Sequence, residues 1–359
     1  MKLYIVTGEP SGDLHAANLV HELKAANNSI KIRAWGGERL IAEGIELVRH
    51  IRDTAFMGLW NVLKNLNTIK QNLRYCKQDI LEYKPDAIVL VDYPGFNLKI
   101  AQFAKENGIK VFYYISPKVW AWNRSRVNKI KRYVDELLVI FPFEVDFYKK
   151  NGMEVTYVGN PLLDEISKGN FKFTYQTQKP IIALLPGSRK QEIEFMLPEM
   201  LKVVDEYPSY QFVVAATNTF NKEYYQSFIK GKNVGFVFDE TYGLLYNATA
   251  AVVTSGTASL ETALFKVPQV VCYKTNWITY ILAKNLIKIK FLSLVNILMD
   301  KLVVKELIQA DFNKINIKKE LDVLLNERER LLTDYDKLSD LLNKKGASKN
   351  AAEFIIESI

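Results

Sequence analysis

The stretch Ala251-Val252-Val253-Thr254-Ser255-Gly256-Thr257-Ala258-Ser259-Leu260-Glu261 decides how this chain folds. A short apolar run breaks at Ser-Gly-Thr, and Ala258, Leu260, Ala263 and Leu264 then follow at helical spacing. A buried strand therefore delivers the chain into a helix N-terminus. The first turn of such a helix presents unpaired N–H groups and the positive end of its dipole, and Gly256 removes a side chain that would obstruct an approaching phosphate. Glu261 would repel phosphate but could accept two hydrogen bonds from a ribose diol. An ordinary Ser/Thr-capped helix behind a core strand shows the same pattern, so the neighbouring stretches must separate the two readings.

Ile181-Ile182-Ala183-Leu184-Leu185 leads in the same way into Pro186-Gly187-Ser188-Arg189, with an arginine beside the glycine turn. Backbone N–H groups of Gly187 and Ser188, together with the Arg189 fork, read as a pyrophosphate cradle. The ribose of the same nucleotide then falls to the turn at Ser255, Gly256, Thr257 and Ala258 and to Glu261. Strands expected at 212–215, 236–238 and 270–273 complete one α/β domain. Earlier runs at 3–6, 30–33, 45–48, 87–91, 110–114, 136–140 and 155–158 are continuous rather than alternating, as strands covered on both faces of a parallel sheet require. The expected architecture is α/β with two doubly wound domains, residues 1–165 and 166–330, the polar stretch 167–179 linking them. A charged helical segment, 331–359, follows and is expected to pack on the first domain or on a partner subunit.

In such sheets ligands sit at the carboxyl ends of strands. The loop Thr7-Gly8-Glu9-Pro10-Ser11-Gly12-Asp13 departs from the G-x-G-x-x-G, P-loop and G-x-S-x-G patterns. Its carboxylates Glu9 and Asp13 suit a sugar hydroxyl better than a pyrophosphate; a Ser11 helix cap with acidic residues favouring the dipole accounts for them equally well. Asp92, at the end of the run Ala87–Val91, is placed to act as a general base on a substrate hydroxyl, or merely to shape the turn before Pro94. Trp120 and Trp122 serve core packing or sugar stacking. Asp334-Tyr335-Asp336 lies within a charged helix and reads as a solvated face, and His15, His21 and His50 show no metal-ligand spacing.

The bulk composition limits the classes available. Length 359, 48% hydrophobic and 25% charged residues describe an ordinary globular chain of two domains. The formal charge of +8 favours anionic partners without choosing among phosphate, nucleic acid and membrane headgroups. Two distant cysteines, Cys76 and Cys272, indicate neither a disulfide framework nor a thiolate metal site and fit a reducing compartment. The apolar start Leu3–Val6 is too short for a signal peptide, and no apolar run approaches the ~20 residues of a spanning helix. One segment nevertheless suits a membrane surface: Phe56, Met57, Leu59, Trp60, Val62, Leu63 and Leu66 cover most of a helix that Lys64, Lys70 and Arg74 flank. A second basic, apolar stretch runs through Trp277–Ala283 and Phe291–Val295.

Six motifs in series carry a resemblance. Gly8-Glu9-Pro10-Ser11-Gly12-Asp13, Asp92-Tyr93-Pro94-Gly95-Phe96-Asn97, Ser116-Pro117-Lys118-Val119-Trp120-Ala121-Trp122, Phe141-Pro142-Phe143-Glu144, Leu185-Pro186-Gly187-Ser188-Arg189 and Ser255–Glu261 together resemble the lipid-A-disaccharide synthase family, in order, from residue 8 to about residue 309. The resemblance implies a GT-B type glycosyltransferase, with two Rossmann-like domains facing a central cleft. It implies transfer of 2,3-diacylglucosamine from its UDP derivative to the 6-hydroxyl of 2,3-diacylglucosamine 1-phosphate, inverting the anomeric centre to a β-1′,6 linkage and releasing UDP. The UDP-sugar is then a substrate, no cofactor or metal is expected, and nucleic acid is not a partner. The enzyme would be cytoplasmic and attached peripherally to the inner-membrane surface through the segment matching Phe56–Leu66, with a homodimer as an open assembly.

Asp92 is the leading base in this scheme, assisted by Glu9 and Asp13. Arg189 and the helix starts at Ser188 and Thr257 would stabilise the departing diphosphate. Asn296 and Gln309 match donor-site positions, although the chain has Val295 and Lys305 where the family carries proline. Two alternatives compete: a UDP-sugar 2-epimerase of the same fold, and a noncatalytic lipid-binding surface protein.

Overall fold

The computed structural model describes residues 1–53, 66–120, 125–229, 231–277, 279–281 and 290–359. These residues form two compact units, Met1–Asp164 with Lys344–Ile359, and Glu165–Asn343. The expected division at residue 330 falls inside one helix, Arg328–Leu341, whose buried Tyr335 and Leu338 keep it with the second unit.

In the first unit, strands β1 (Lys2–Val6), β2 (Lys31–Gly36), β3 (Leu47–His50), β4 (Ala87–Val91), β5 (Lys110–Tyr114), β6 (Glu136–Val139) and β7 (Thr156–Tyr157) form one sheet in the order β3-β2-β1-β4-β5-β6-β7. Every pairing in it is parallel. The continuous apolar runs have a direct cause: successive residues serve different cores. Leu3 and Ile5 pack beneath helix Pro10–Ala26, whereas Tyr4 and Val6 face the core that Ile80, Ile100 and Ile130 share on the opposite side. Each such aliphatic side chain contributes roughly 1.5–3 kcal/mol on burial. The last helix, Ala347–Glu357, returns to this unit and adds Ala351, Ala352 and Ile355 to the core at helix Pro10–Ala26. Asp164 receives it by accepting from the Gly346 N–H at 2.8 Å.

The second unit repeats the scheme with β8 (Ile181–Leu185), β9 (Gln211–Ala216), β10 (Val234–Phe238), β11 (Ala248–Thr254), β12 (Gln269–Tyr273) and β13 (Glu306–Ile308) in the order β10-β9-β8-β11-β12-β13. Its pairings are parallel as well. The sequence patterns place most of these strands, while β13 escapes them because three residues carry no period. The strand expected at 45–48 is shifted to Leu47–His50.

In each sheet the strand order reverses once about a central strand. The switch point lies between β1 and β4 in the first unit and between β8 and β11 in the second. Val6 is in register with Leu90, and Leu185 with Val253. The loops holding Glu9 and Asp92 therefore emerge side by side, and so do the loops holding Arg189 and Thr257. These are the positions at which open α/β sheets bind ligands.

Candidate active site

In the first unit, the site is built on an uncommon turn. Asp92 and Tyr93 both adopt left-handed backbone, with φ of 44° and 49°. Two consecutive non-glycine residues in this region cost on the order of 1–3 kcal/mol each unless their surroundings impose the conformation. Here they do. The Asp92 carbonyl accepts from Asn97 Nδ2 at 2.8 Å and from the Tyr113 hydroxyl at 2.5 Å, and the Asp92 N–H donates to the Tyr114 carbonyl. Asn97 Nδ2 also lies 3.2 Å from the carbonyl oxygens of Val6 and Val91, so a single amide joins the ends of β1 and β4. Gly8 completes the arrangement: a Cβ there would stand 2.4 Å from the Tyr93 ring.

The Asp92 carboxyl is pushed up to about 6, chiefly by burial and then by the negative charge of Glu9, with Lys118 and the Tyr93 N–H opposing. That value suits a general base near neutral pH. Glu9 is half-buried and precedes helix Pro10–Ala26, so Ser11 falls inside the helix and does not cap it. Asp13 is placed differently. Both of its oxygens accept backbone N–H groups, from Gly37 at 2.6 Å and Arg39 at 2.9 Å, which commits its carboxylate to the turn after β2. Among the carboxyls the motifs left without a role, Glu144 is the most perturbed. It accepts from the N–H groups of Ile140 and Phe141 and from Trp120 Nε1, and burial pushes it up to about 8. Trp120 packs edge-on against Phe143; Trp122 lies outside the described residues.

In the second unit, Gly256 has φ 145°, a conformation reserved for glycine, and open space surrounds the position of a Cβ there. Backbone conformation, not crowding, requires this glycine. Helix Thr257–Leu264 starts immediately after it, and Ser255 is fixed through its Oγ to the Leu292 carbonyl at 3.0 Å. Half-buried Ala258 packs against the neighbouring apolar core. Glu261 lies one turn in, also half-buried, and its Oε1 accepts from the Tyr242 hydroxyl at 3.2 Å. Burial raises the Glu261 carboxyl to about 7 against the lowering effect of that hydrogen bond. Tyr242 is held by aromatic contacts with Phe171 and Phe265, a support invisible at nineteen residues' separation.

At the Gly187 turn, part of the expected cradle is already engaged. The N–H groups of Ser188 and Arg189 both donate, at 3.2 Å, to Oε2 of Glu192. Gly187 has φ 98°, and a Cβ on it would meet that same oxygen at 2.5 Å. The Arg189 side chain remains 58% exposed. Asn296 and Gln309 are internal ties. Asn296 accepts from the N–H groups of Val303 and Val304 and donates to the Val304 carbonyl and to Glu306, while Gln309 bonds both the N–H and the carbonyl of Thr275. These ties hold the β12–β13 region, where the chain lacks the two prolines.

Of the apolar segment, Phe56, Met57, Leu59, Trp60, Val62 and Leu63 lie outside the described residues. Leu66 opens helix Leu66–Tyr83 and is exposed. The second stretch divides: Trp277 and Ile281 are exposed, whereas Leu294 and Val295 are buried. Among the described residues no helix is long and apolar enough to cross a membrane. The Asp334-Tyr335-Asp336 helix holds ion pairs, Asp334 with Lys301 and Lys337 and Asp336 with Lys266, around a buried tyrosine.

A strained strand-end carboxylate in one parallel-sheet unit and a guanidinium beside a glycine turn in another give the chain the character of a two-domain glycosyltransferase. Solved structures share the fold: the glycotransferase of kitacinnamycin (TM-score 0.70, 14% identity, 99% of this chain and 98% of that one) and a UDP-GlcNAc 2-epimerase from Neisseria meningitidis bound to UDP-GlcNAc (TM-score 0.68, 15% identity, 100% and 99%). The chain belongs to the lipid-A-disaccharide synthase family, whose model, described as lipid-A-disaccharide synthetase, matches residues 3–359. It is 36% identical over 374 residues to lipid-A-disaccharide synthase 1 of Legionella pneumophila strain Paris, covering 100% of this chain and 97% of the relative. Against lipid-A-disaccharide synthase of Myxococcus xanthus it is 37% identical over 371 residues, covering 99% and 97%. It is thus a glycosyltransferase of lipid A biosynthesis that uses a UDP-sugar and a lipid A precursor, and neither the epimerase nor the noncatalytic reading is favoured.

Proposed function

We propose that the chain transfers 2,3-diacylglucosamine from UDP-2,3-diacylglucosamine to the 6-hydroxyl of 2,3-diacylglucosamine 1-phosphate, inverting the anomeric centre and releasing UDP. The observation that carries this reading is Asp92, a half-buried carboxyl raised to about 6 and held in left-handed backbone at the switch point of the first sheet. Asp92 takes the proton of the acceptor hydroxyl as the hydroxyl attacks the anomeric carbon. Glu9 tunes Asp92 through its charge. Arg189 and the first turn of helix Thr257–Leu264 take up the negative charge that develops on the departing diphosphate, and Glu261 holds the ribose. In this reading protein groups supply that stabilisation and no resident metal is used.

Both substrates carry acyl chains, so the enzyme works at the cytoplasmic surface of the inner membrane. The exposed Leu66 and Trp277 support this part of the reading. The test is UDP release from purified protein supplied with both diacyl sugars in the presence of a chelator. Release that requires the acceptor supports transfer. Release without acceptor, or complete loss on chelation, counts against it.

A further inference from the structure

Glu192 sits at the third position of helix Lys190–Met200, in the place an anion would take at the preceding turn. One carboxylate oxygen, Oε2, receives both the Ser188 and the Arg189 N–H, and Oε1 lies 3.4 Å from Arg189 Nη1. Gly187 leaves the notch into which this oxygen fits, since a Cβ there would come within 2.5 Å of it. These donors, two amides and a guanidinium, are the ones a phosphate would use at a helix N-terminus. A fixed carboxylate on them excludes a phosphate from the same seat, because two anions cannot share the donors without repulsion.

We infer that Glu192 is a positioning residue: its carboxylate permanently fills the amide seat, fixes the Gly187–Arg189 turn, and leaves the nucleoside diphosphate to be met by the Arg189 side chain. The inference rests on the nucleotide reading of this turn. One structural detail shapes its test. Both N–H groups donate to the same oxygen, so a glutamine carbonyl can receive them equally well, and only the long, exposed contact to Nη1 is lost, an interaction worth little. Alanine supplies no acceptor.

The experiment compares Glu192→Ala and Glu192→Gln with the full-length enzyme, using UDP affinity by calorimetry and the KM values for both substrates. Loss of the cap releases the turn, so Glu192→Ala weakens UDP binding about tenfold and raises the donor KM similarly, with the acceptor KM unmoved. Glu192→Gln binds UDP at least as tightly as the parent enzyme, within about threefold. A mere loss of folded protein would lower kcat and move neither KM. UDP binding by Glu192→Ala as tight as the parent's, or tighter, overturns the inference, since the carboxylate would then be inert or a competitor of the phosphates. A glutamine variant as weak as alanine overturns it too. Arg189→Ala, measured alongside, separates the two levels: unchanged UDP affinity there defeats the nucleotide reading itself.

Discussion

Asn97 Nδ2 donates to the Asp92 carbonyl oxygen at 2.8 Å, so the residue five places on holds the proposed base in its left-handed backbone. Asp92→Asn keeps these backbone contacts and removes the proton acceptor. It should bind UDP normally and lose roughly two or more powers of ten in turnover, as loss of a general base does. In the parent enzyme, kcat/KM should rise with pH through about 6, as the Asp92 carboxyl ionises. Steady-state rates between pH 5 and 8 check both points; turnover near the parent's would remove Asp92 from the role.

Glu261 has its carboxyl raised to about 7, and the ionised form is the better acceptor for a ribose diol. UDP should therefore bind more tightly as pH rises through 7, with proton release on binding below that pH. The Tyr242 hydrogen bond lowers the Glu261 value, so Tyr242→Phe should carry the inflection to higher pH. Calorimetric titrations in buffers of different ionisation heat measure the released proton. A pH-independent affinity would detach Glu261 from the nucleotide.

Three carboxyls are raised by burial: Asp92 from 3.8 to about 6, Glu144 from 4.5 to about 8 and Glu261 from 4.5 to about 7. Between the ordinary and the raised value, the folded chain holds a proton that the unfolded chain has lost, so folding is favoured by acid in that window. The contribution is complete below pH 4 and disappears as pH climbs through about 8. Denaturant midpoints should fall from pH 5 to pH 8.5, and Glu144→Gln should fall less. An equal drop in that variant would refute the part assigned to Glu144.

Asn296→Ala separates a tie from a ligand. It strips acceptors from the N–H groups of Val303 and Val304, both buried, and should lower the unfolding free energy by about 3 kcal/mol. Urea unfolding gives the number. Unaltered stability with weakened UDP binding would instead return Asn296 to the donor site.

Much of this molecule is legible in its sequence, and the reason is periodicity. Buried parallel strands announce themselves as unbroken apolar runs, because Tyr4 and Ile5, or Ala183 and Leu184, each have a core to enter. Polar turns after such runs mark the strand ends, which is why Glu9, Asp92, Arg189 and Glu261 could be chosen by position. What polar residues in those turns bond to is set by tertiary neighbours. Asp13 looked like Glu9 in the same loop, yet the Gly37 and Arg39 amides claim it from 24 and 26 residues away. The grip of Glu192 on the Gly187 turn did leave a local trace, an acidic residue three places after the helix-capping position. Tyr242 left none, because its link to Glu261 depends on how two helices pack.

Helix Ala347–Glu357 belongs to the unit that begins the chain, while Glu165–Asn343 forms the other unit without interruption. During synthesis the later unit can therefore close first. The core beside helix Pro10–Ala26 is completed only when Ala351, Ala352 and Ile355 emerge, roughly fifteen to sixty-five seconds after that helix at ordinary elongation rates. Throughout that time the nascent first unit lacks part of its core and leaves apolar surface exposed, as incompletely folded domains do.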